Sequence, residues 1–241
     1  MTEVAQRKAL ALGLDRLNEN MRNLAELSEL AIRKAVDSLQ HVSEAEAKEV
    51  FEVDNAMYSL QLVIERNCVD LIALHAPVAR DLRTITTSLK ISTDFDRIGR
   101  YSKDIAEISL KVGTESPTLP EKLGNLTRMA DLTIHMVDTS IRAFVNRDAD
   151  SVRDMGKFDD AVDDLHDELF EELVKLMENH VLRVSQGAEY ILVNRYLERI
   201  ADHAVNVGDR VVYMMTGEQP RHAAPYFKKV DPDGKNDSNL T

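Results

Sequence analysis

Between residues 50 and 74 apolar side chains fall at every third or fourth position: Val50, Val53, Met57, Leu60, Ile64, Cys68, Leu71 and Leu74. That spacing lays them along one side of an α-helix, as a stripe to be buried. The same period recurs through most of the chain and predicts six helices, at about residues 9–41, 44–75, 78–112, 121–146, 149–180 and 185–215. Glycine and proline punctuate them. Pro77 follows the second helix, Gly113 reads as the stop of the third, and Pro120 and Gly217 bracket the last three. Ser43 with Glu46 has the spacing of a capping box at the start of the second helix. At 1.5 Å per residue the longest helices are rods of roughly 45 Å, and their short connections make sequence neighbours antiparallel.

The two halves repeat one another. Adding 105 to Val50, Val53, Met57, Leu60, Ile64, Cys68 and Leu71 gives Met155, Phe158, Val162, Leu165, Leu169, Leu173 and Leu176, all apolar. At a nearby offset of 102, Phe95-Asp96-Arg97-Ile98-Gly99 falls on Leu197-Glu198-Arg199-Ile200-Ala201. Any two amphipathic helices can be aligned, but two successive helices at nearly one offset make a duplicated unit. The predicted fold is therefore all-α: two repeated antiparallel three-helix bundles of six long helices. The first occupies residues 1–113, a linker follows at 114–120, the second bundle is 121–217, and a loose C-terminal tail runs over 218–241.

Composition narrows the function. The chain has 241 residues, of which 44% are hydrophobic and only 5% aromatic, with no Trp; that balance suits helices and not a sandwich of short strands. Its 30 basic residues against 42 acidic ones leave a net charge of −12, which argues against a sequence-independent grip on nucleic acid. No apolar run approaches the ~18–20 residues of a membrane span, and the polar first residues lack a secretory h-region. A single cysteine excludes a disulfide framework and fits a reducing compartment, so a cytoplasmic location is expected. Cys68 falls on Leu173 in the repeat, which reads as a small core residue and not a nucleophile.

Chemistry, if any, lies in acids. Asp159 and Asp163 are four apart on the fifth helix, Glu198 and Asp202 four apart on the sixth. Antiparallel packing of those helices can bring four carboxylates together, a donor set for iron, manganese, magnesium or zinc. In a chain this acidic, chance alone supplies about seven i, i+4 acid pairs, and a solvated face is the default explanation. Arg195 and Arg199 are also placed to salt-bridge Glu198 and Asp202. A ferritin-like di-iron site needs two Glu-x-x-His motifs, and Asp163-Asp164-Leu165-His166 is a single approximate match. His203 reads better as a satisfied surface or interface histidine than as a ligand. No phosphate-binding glycine loop, dinucleotide fingerprint or nucleophile elbow is present.

Ala79-Arg80-Asp81-Leu82-Arg83, Leu89-Lys90-Ile91 and Phe95-Asp96-Arg97-Ile98-Gly99 resemble a signature of the PhoU family. So does Tyr196-Leu197-Glu198-Arg199-Ile200-Ala201-Asp202-His203-Ala204-Val205-Asn206, followed by Tyr213 and Thr216-Gly217-Glu218. The resemblance covers about residues 10–220. It implies pseudo-twofold symmetry between the bundles and a non-enzymatic, cytoplasmic, often homodimeric regulator of phosphate uptake. It implies negative control of the phosphate-specific ABC transporter through its ATPase subunit, in many bacteria coupled to a phosphate-sensing histidine kinase, with only indirect contact with the membrane. The family's E/D-x-x-x-D motifs, which can hold iron or zinc clusters, fall on Asp159 and Asp163 and on Glu198 and Asp202. In the first half Asp54 and Asp96 match, but Tyr58 and Arg100 stand where acids are usual. A fixed positive charge at Arg100 opposes a metal, so the first site is expected to be weaker, with Asp54 free to pair with Arg100. The competing readings are a carboxylate-bridged metalloenzyme or metal store, and a purely structural bundle.

Overall fold

A computed structural model describes residues 3–115 and 123–218, and these contain six α-helices in chain order. They are α1 (Glu3–His41), α2 (Glu44–His75), α3 (Ala79–Glu115), α4 (Gly124–Asn146), α5 (Met155–Glu178) and α6 (Val184–Thr216). Helices α1, α2 and α3 pack on one another, as do α4, α5 and α6. Among the described residues no helix is long and apolar enough to cross a membrane.

The helix ends show which signals acted. Ser43 caps α2 by accepting a hydrogen bond from the Glu46 amide at 3.3 Å. Only half of the expected capping box forms, because the Ser43 amide donates instead to the Ser38 carbonyl at 3.0 Å. Ser43→Ala is expected to cost about 1 kcal/mol and lower the melting temperature by about 2–4 °C, read from thermal unfolding followed by circular dichroism. At the far end of α6, Gly217 adopts φ +80° and donates to the Tyr213 carbonyl at 2.8 Å, the left-handed cap that glycine provides without strain.

Three boundaries differ from the periodicity. Helix α1 begins at Glu3 although its first turns bury little; Ala, Gln, Arg, Lys and Leu there are intrinsic helix formers. Helix α3 continues through Gly113 to Glu115, so that glycine is no terminator. A Cβ at Gly113 would lie 2.3 Å from Val42 Cγ1, and glycine is needed there for close approach to the α1–α2 turn. Helix α5 starts at Met155 because Asp148 captures the preceding segment, its side chain accepting from the Asp150 and Ser151 amides. The turn-rich stretch from Ser116, the start signal at Pro120 and the tail beyond Glu218 lie outside the described residues.

The halves meet along two lines, α3 against α6 and α1 against α4. Each line joins a helix to its own repeat equivalent, the arrangement that a twofold relation requires. Side chains repeat it. Tyr101 stacks on Tyr196 with ring centroids 5.7 Å apart, and His203 lies 3.0 Å from Asp94. At the offset of 102, Tyr101 corresponds to His203 and Asp94 to Tyr196, so one contact occurs twice with different chemistry. One continuous core runs through both bundles, with fully buried Phe95 of α3 edge-on to Phe144 of α4 at 6.4 Å. Cys68 belongs to this core: burial pushes its thiol up to about 12, which leaves it inert as a nucleophile.

Candidate metal centre

The helical pitch sets Asp159 and Asp163 one turn apart on α5, and Glu198 and Asp202 one turn apart on α6. Packing of α5 on α6 brings the pairs within reach of one another's charge. Burial first, then the negative charges of Asp202, Asp163, Asp160 and Glu198, push the Asp159 carboxyl up to about 7. Burial and Asp202 likewise raise Glu198, against the pull of Arg195 and Arg199. Asp202 is raised by burial, with Arg199 opposing and Asp163 adding to the rise. All four predicted acids therefore share one electrostatic site on the second bundle.

Two of the four are neutralised by their own helix. Arg195 Nη1 donates to Glu198 at 2.8 Å and Arg199 Nη1 to Asp202 at 3.1 Å. Asp159, among the described residues, has no ion-pair or hydrogen-bond partner. Carboxyls that repel one another until one keeps its proton near neutrality fit a hard or borderline cation in chemical type. In geometry the set is open. Among the described residues, no three His, Cys, Asp or Glu side chains are placed to hold one metal ion together. Closing a ligand set requires Glu198 and Asp202 to turn away from their arginines.

The first bundle is organised differently. Asp54 and Asp96 are buried, at 6% and 8% exposure, and each leaves its Oδ1 without a partner among the described residues. Burial raises the Asp96 carboxyl, Arg100 opposes that rise, and Asp54 adds to it. Asp54 does not pair with Arg100 as anticipated; its ion-pair partner is Lys103, with Nζ 3.9 Å from Oδ2. Tyr58, in the position equivalent to Asp163, is half exposed and supplies no carboxylate.

Sequence reasoning missed Asp94. It lies buried on α3 and meets two residues of α6, Arg210 through an ion pair and His203, whose Nδ1 lies 3.0 Å from its Oδ1. His203 is thus an interface residue between the halves, turned from the acidic pair beside it toward Asp94. His166 was dismissed with its motif, yet its charge acts on Glu198 and its buried Nδ1 has no partner among the described residues.

A family model described as the PhoU domain matches residues 21–109 and again 126–211. The chain is 31% identical over 215 residues to the phosphate-specific transport system accessory protein PhoU homolog of Clostridium acetobutylicum, across 88% of this chain and 97% of that one. It is 33% identical over 210 residues to PhoU homolog 1 of Mycobacterium tuberculosis, covering 86% and 93%. Its fold is similar to the crystal structure of PhoU from Pseudomonas aeruginosa, with a TM-score of 0.82 at 27% identity over 86% of this chain and 99% of that one. The phosphate transport system regulatory protein PhoU from Streptococcus pneumoniae gives 0.79 at 27% identity, over 88% and 99%.

Proposed function

The chain belongs to the PhoU family, and on that premise we propose that it restrains phosphate uptake by binding the ATPase subunit of a phosphate-specific ABC transporter. Where the organism has a phosphate-sensing histidine kinase, the same protein carries transporter status to it. The observation behind this reading is the match of both repeats, end to end, to relatives named as accessory or regulatory proteins of phosphate transport. A rigid bundle with net charge −12 offers broad acidic faces to basic patches on a partner. It works in the cytoplasm as a homodimer and reaches the membrane only through that partner.

In this reading Asp159, Asp163, Glu198 and Asp202 hold iron or zinc, which supplies positive charge that fixes α5 against α6. The ion serves structure or switching and no turnover. Asp54 and Asp96 form a weaker site, because Arg100 and Lys103 already supply positive charge there.

Gentle crosslinking in the native cells, under phosphate-rich and phosphate-starved growth, tests the regulator reading. Recovery of a transporter ATPase or histidine kinase, more in one condition than the other, is the expected result. Recovery of neither, with stoichiometric metal on the protein, supports a metal store or metalloenzyme instead. Elemental analysis of the purified chain is expected to give metal that Asp202→Asn removes and Asp54→Asn largely retains. Equal metal loss from both variants would sink the asymmetry between the bundles.

A further inference from the structure

A cavity of about 100 Å³ opens where the first bundle meets the second. It is lined by Asn18 and Arg22 of α1, by Phe144, Val145 and the C-cap residue Arg147 at the end of α4, and by Met214 of α6. Phe144 and Met214 are buried, Asn18 and Arg147 are partly exposed, and Arg22 is exposed. In a chain with 42 acidic side chains, two cations line this cavity and, among the described residues, no carboxylate does. Neither guanidinium has an ion-pair or hydrogen-bond partner among the described residues. Nor does the end of α4 need them as caps. The Ala143 carbonyl accepts from the Asp148 amide at 3.0 Å, and the Phe144 carbonyl from the Arg147 amide at 3.3 Å.

The repeat builds the same junction a second time. Helices α1 and α4 end alike, on Val42 and Arg147, which are 105 apart and both left-handed, at φ 51° and 54°. At that offset Arg22, Phe144 and Val145 correspond to Thr127, Leu39 and Gln40. Those three also line one cavity, of only about 10 Å³, and the rest of its lining is aliphatic. The counterpart of Arg147 is Val42, which closes on Gly113. One junction is thus sealed by aliphatic packing and the other stays open around two arginines. Packing of the bundles requires neither the opening nor the charge.

Two guanidiniums facing one space repel each other until an anion lies between them, and their planar forks match the edges of a tetrahedral oxoanion. The buried side chains of Phe144 and Met214 keep water from the inner wall, which strengthens the attraction. Asn18 adds an amide that both donates and accepts. Monohydrogen phosphate has a proton to give to that acceptor, and sulfate has none. We propose that this cavity binds inorganic phosphate between Arg22 and Arg147. The two arginines belong to different bundles, so the bound anion bridges α1 to α4. The exposed Arg22 side stays hydrated, which sets the affinity in the sub-millimolar to millimolar range. The site stands without the regulator reading; within that reading, phosphate itself tightens the seam between the bundles.

Isothermal titration calorimetry of the full chain with inorganic phosphate, at pH 8 and constant ionic strength in chloride, reads the site. One phosphate per chain is expected, with sulfate weaker and acetate weaker still. Arg22→Gln and Arg147→Gln should each weaken phosphate binding at least about tenfold, with far-ultraviolet circular dichroism to confirm that both variants fold. Asn18→Leu should erase the preference for phosphate over sulfate. No saturable binding to the wild type, or equal binding to the variant lacking both arginines, overturns the site. Acetate as tight as phosphate, or ATP at least about tenfold tighter, overturns the assignment to free phosphate, because the arginines then serve a carboxylate or the phosphate chain of a larger ligand. None of these outcomes bears on the crosslinking test of the regulator reading.

Discussion

Asp159→Asn is expected to stabilise the metal-free protein by about 1–2 kcal/mol at pH 8 while removing most of its affinity for metal. The two effects share one cause. Burial and the neighbouring acids, Asp202 foremost, push the Asp159 carboxyl from 3.8 up to about 7. Its folded value is thus above its unfolded value, and between those two limits the folded chain binds more protons. Stability must then fall as pH rises through this window, and the full penalty stands above it. Asn carries no charge to repel, so the variant should melt a few degrees higher at pH 8 and almost level with the wild type near pH 4. The partial exposure of Asp159 to solvent is the reason for setting the gain well below what the full shift would give. Zinc or iron(II) should oppose the same penalty in the wild type, and removing a carboxylate should cost more affinity than the roughly 10–100-fold loss usual for an outer-shell partner. Thermal melts at both pH values, with and without metal, carry the test. An unchanged difference between variant and wild type at pH 4 and pH 8 would falsify the electrostatic cause.

Phe95→Ala should cost about 3–5 kcal/mol, the loss that follows truncation of a fully buried aromatic ring. The ring is fully buried on α3 and meets Phe144 of α4 edge-on, so its removal opens a cavity where the two bundles meet. Close-packed helices on both sides can collapse only partly into that space. Denaturant unfolding should show a lower midpoint. Because Phe95 ties the bundles together, the variant should also lose the coincidence of its transitions, one half unfolding ahead of the other. A single transition with a loss below about 1 kcal/mol would show that the bundles do not depend on one another through this ring.

The architecture was readable because it rests on periodicity, and periodicity is local. Eight residues from Val50 to Leu74 suffice to place a helix, and a shared offset suffices to place its duplicate. The four acids of α5 and α6 were readable for the same reason, since one helical turn and one repeat bring them together. What escaped was specified by tertiary contact. Asp94 gains its meaning from Arg210 and His203, more than 100 residues away, and no spacing within α3 announces it. Gly113 was misread because glycine serves both helix ends and close approaches. Only Val42 across the turn decides between them. The pairing of Asp54 with Lys103 in place of Arg100 turned on which of two cations one helical turn apart reaches inward.

The contact that occurs once as tyrosine on tyrosine and again, two turns along α3, as histidine beside aspartate has a consequence for ancestry. Two identical single-repeat chains joined by a true twofold would have to place the same residue pair in both places, and a change in one would be copied to the other. Fusion into one gene lifts that constraint, and each copy can then drift alone. Tyr58 and Arg100 could replace acids in one bundle while Asp163 and Asp202 remained in the other. Duplication followed by fusion thus accounts for a pair of bundles alike in backbone and unlike in side chains, with Asp163 and Asp202 in one half where Tyr58 and Arg100 stand in the other.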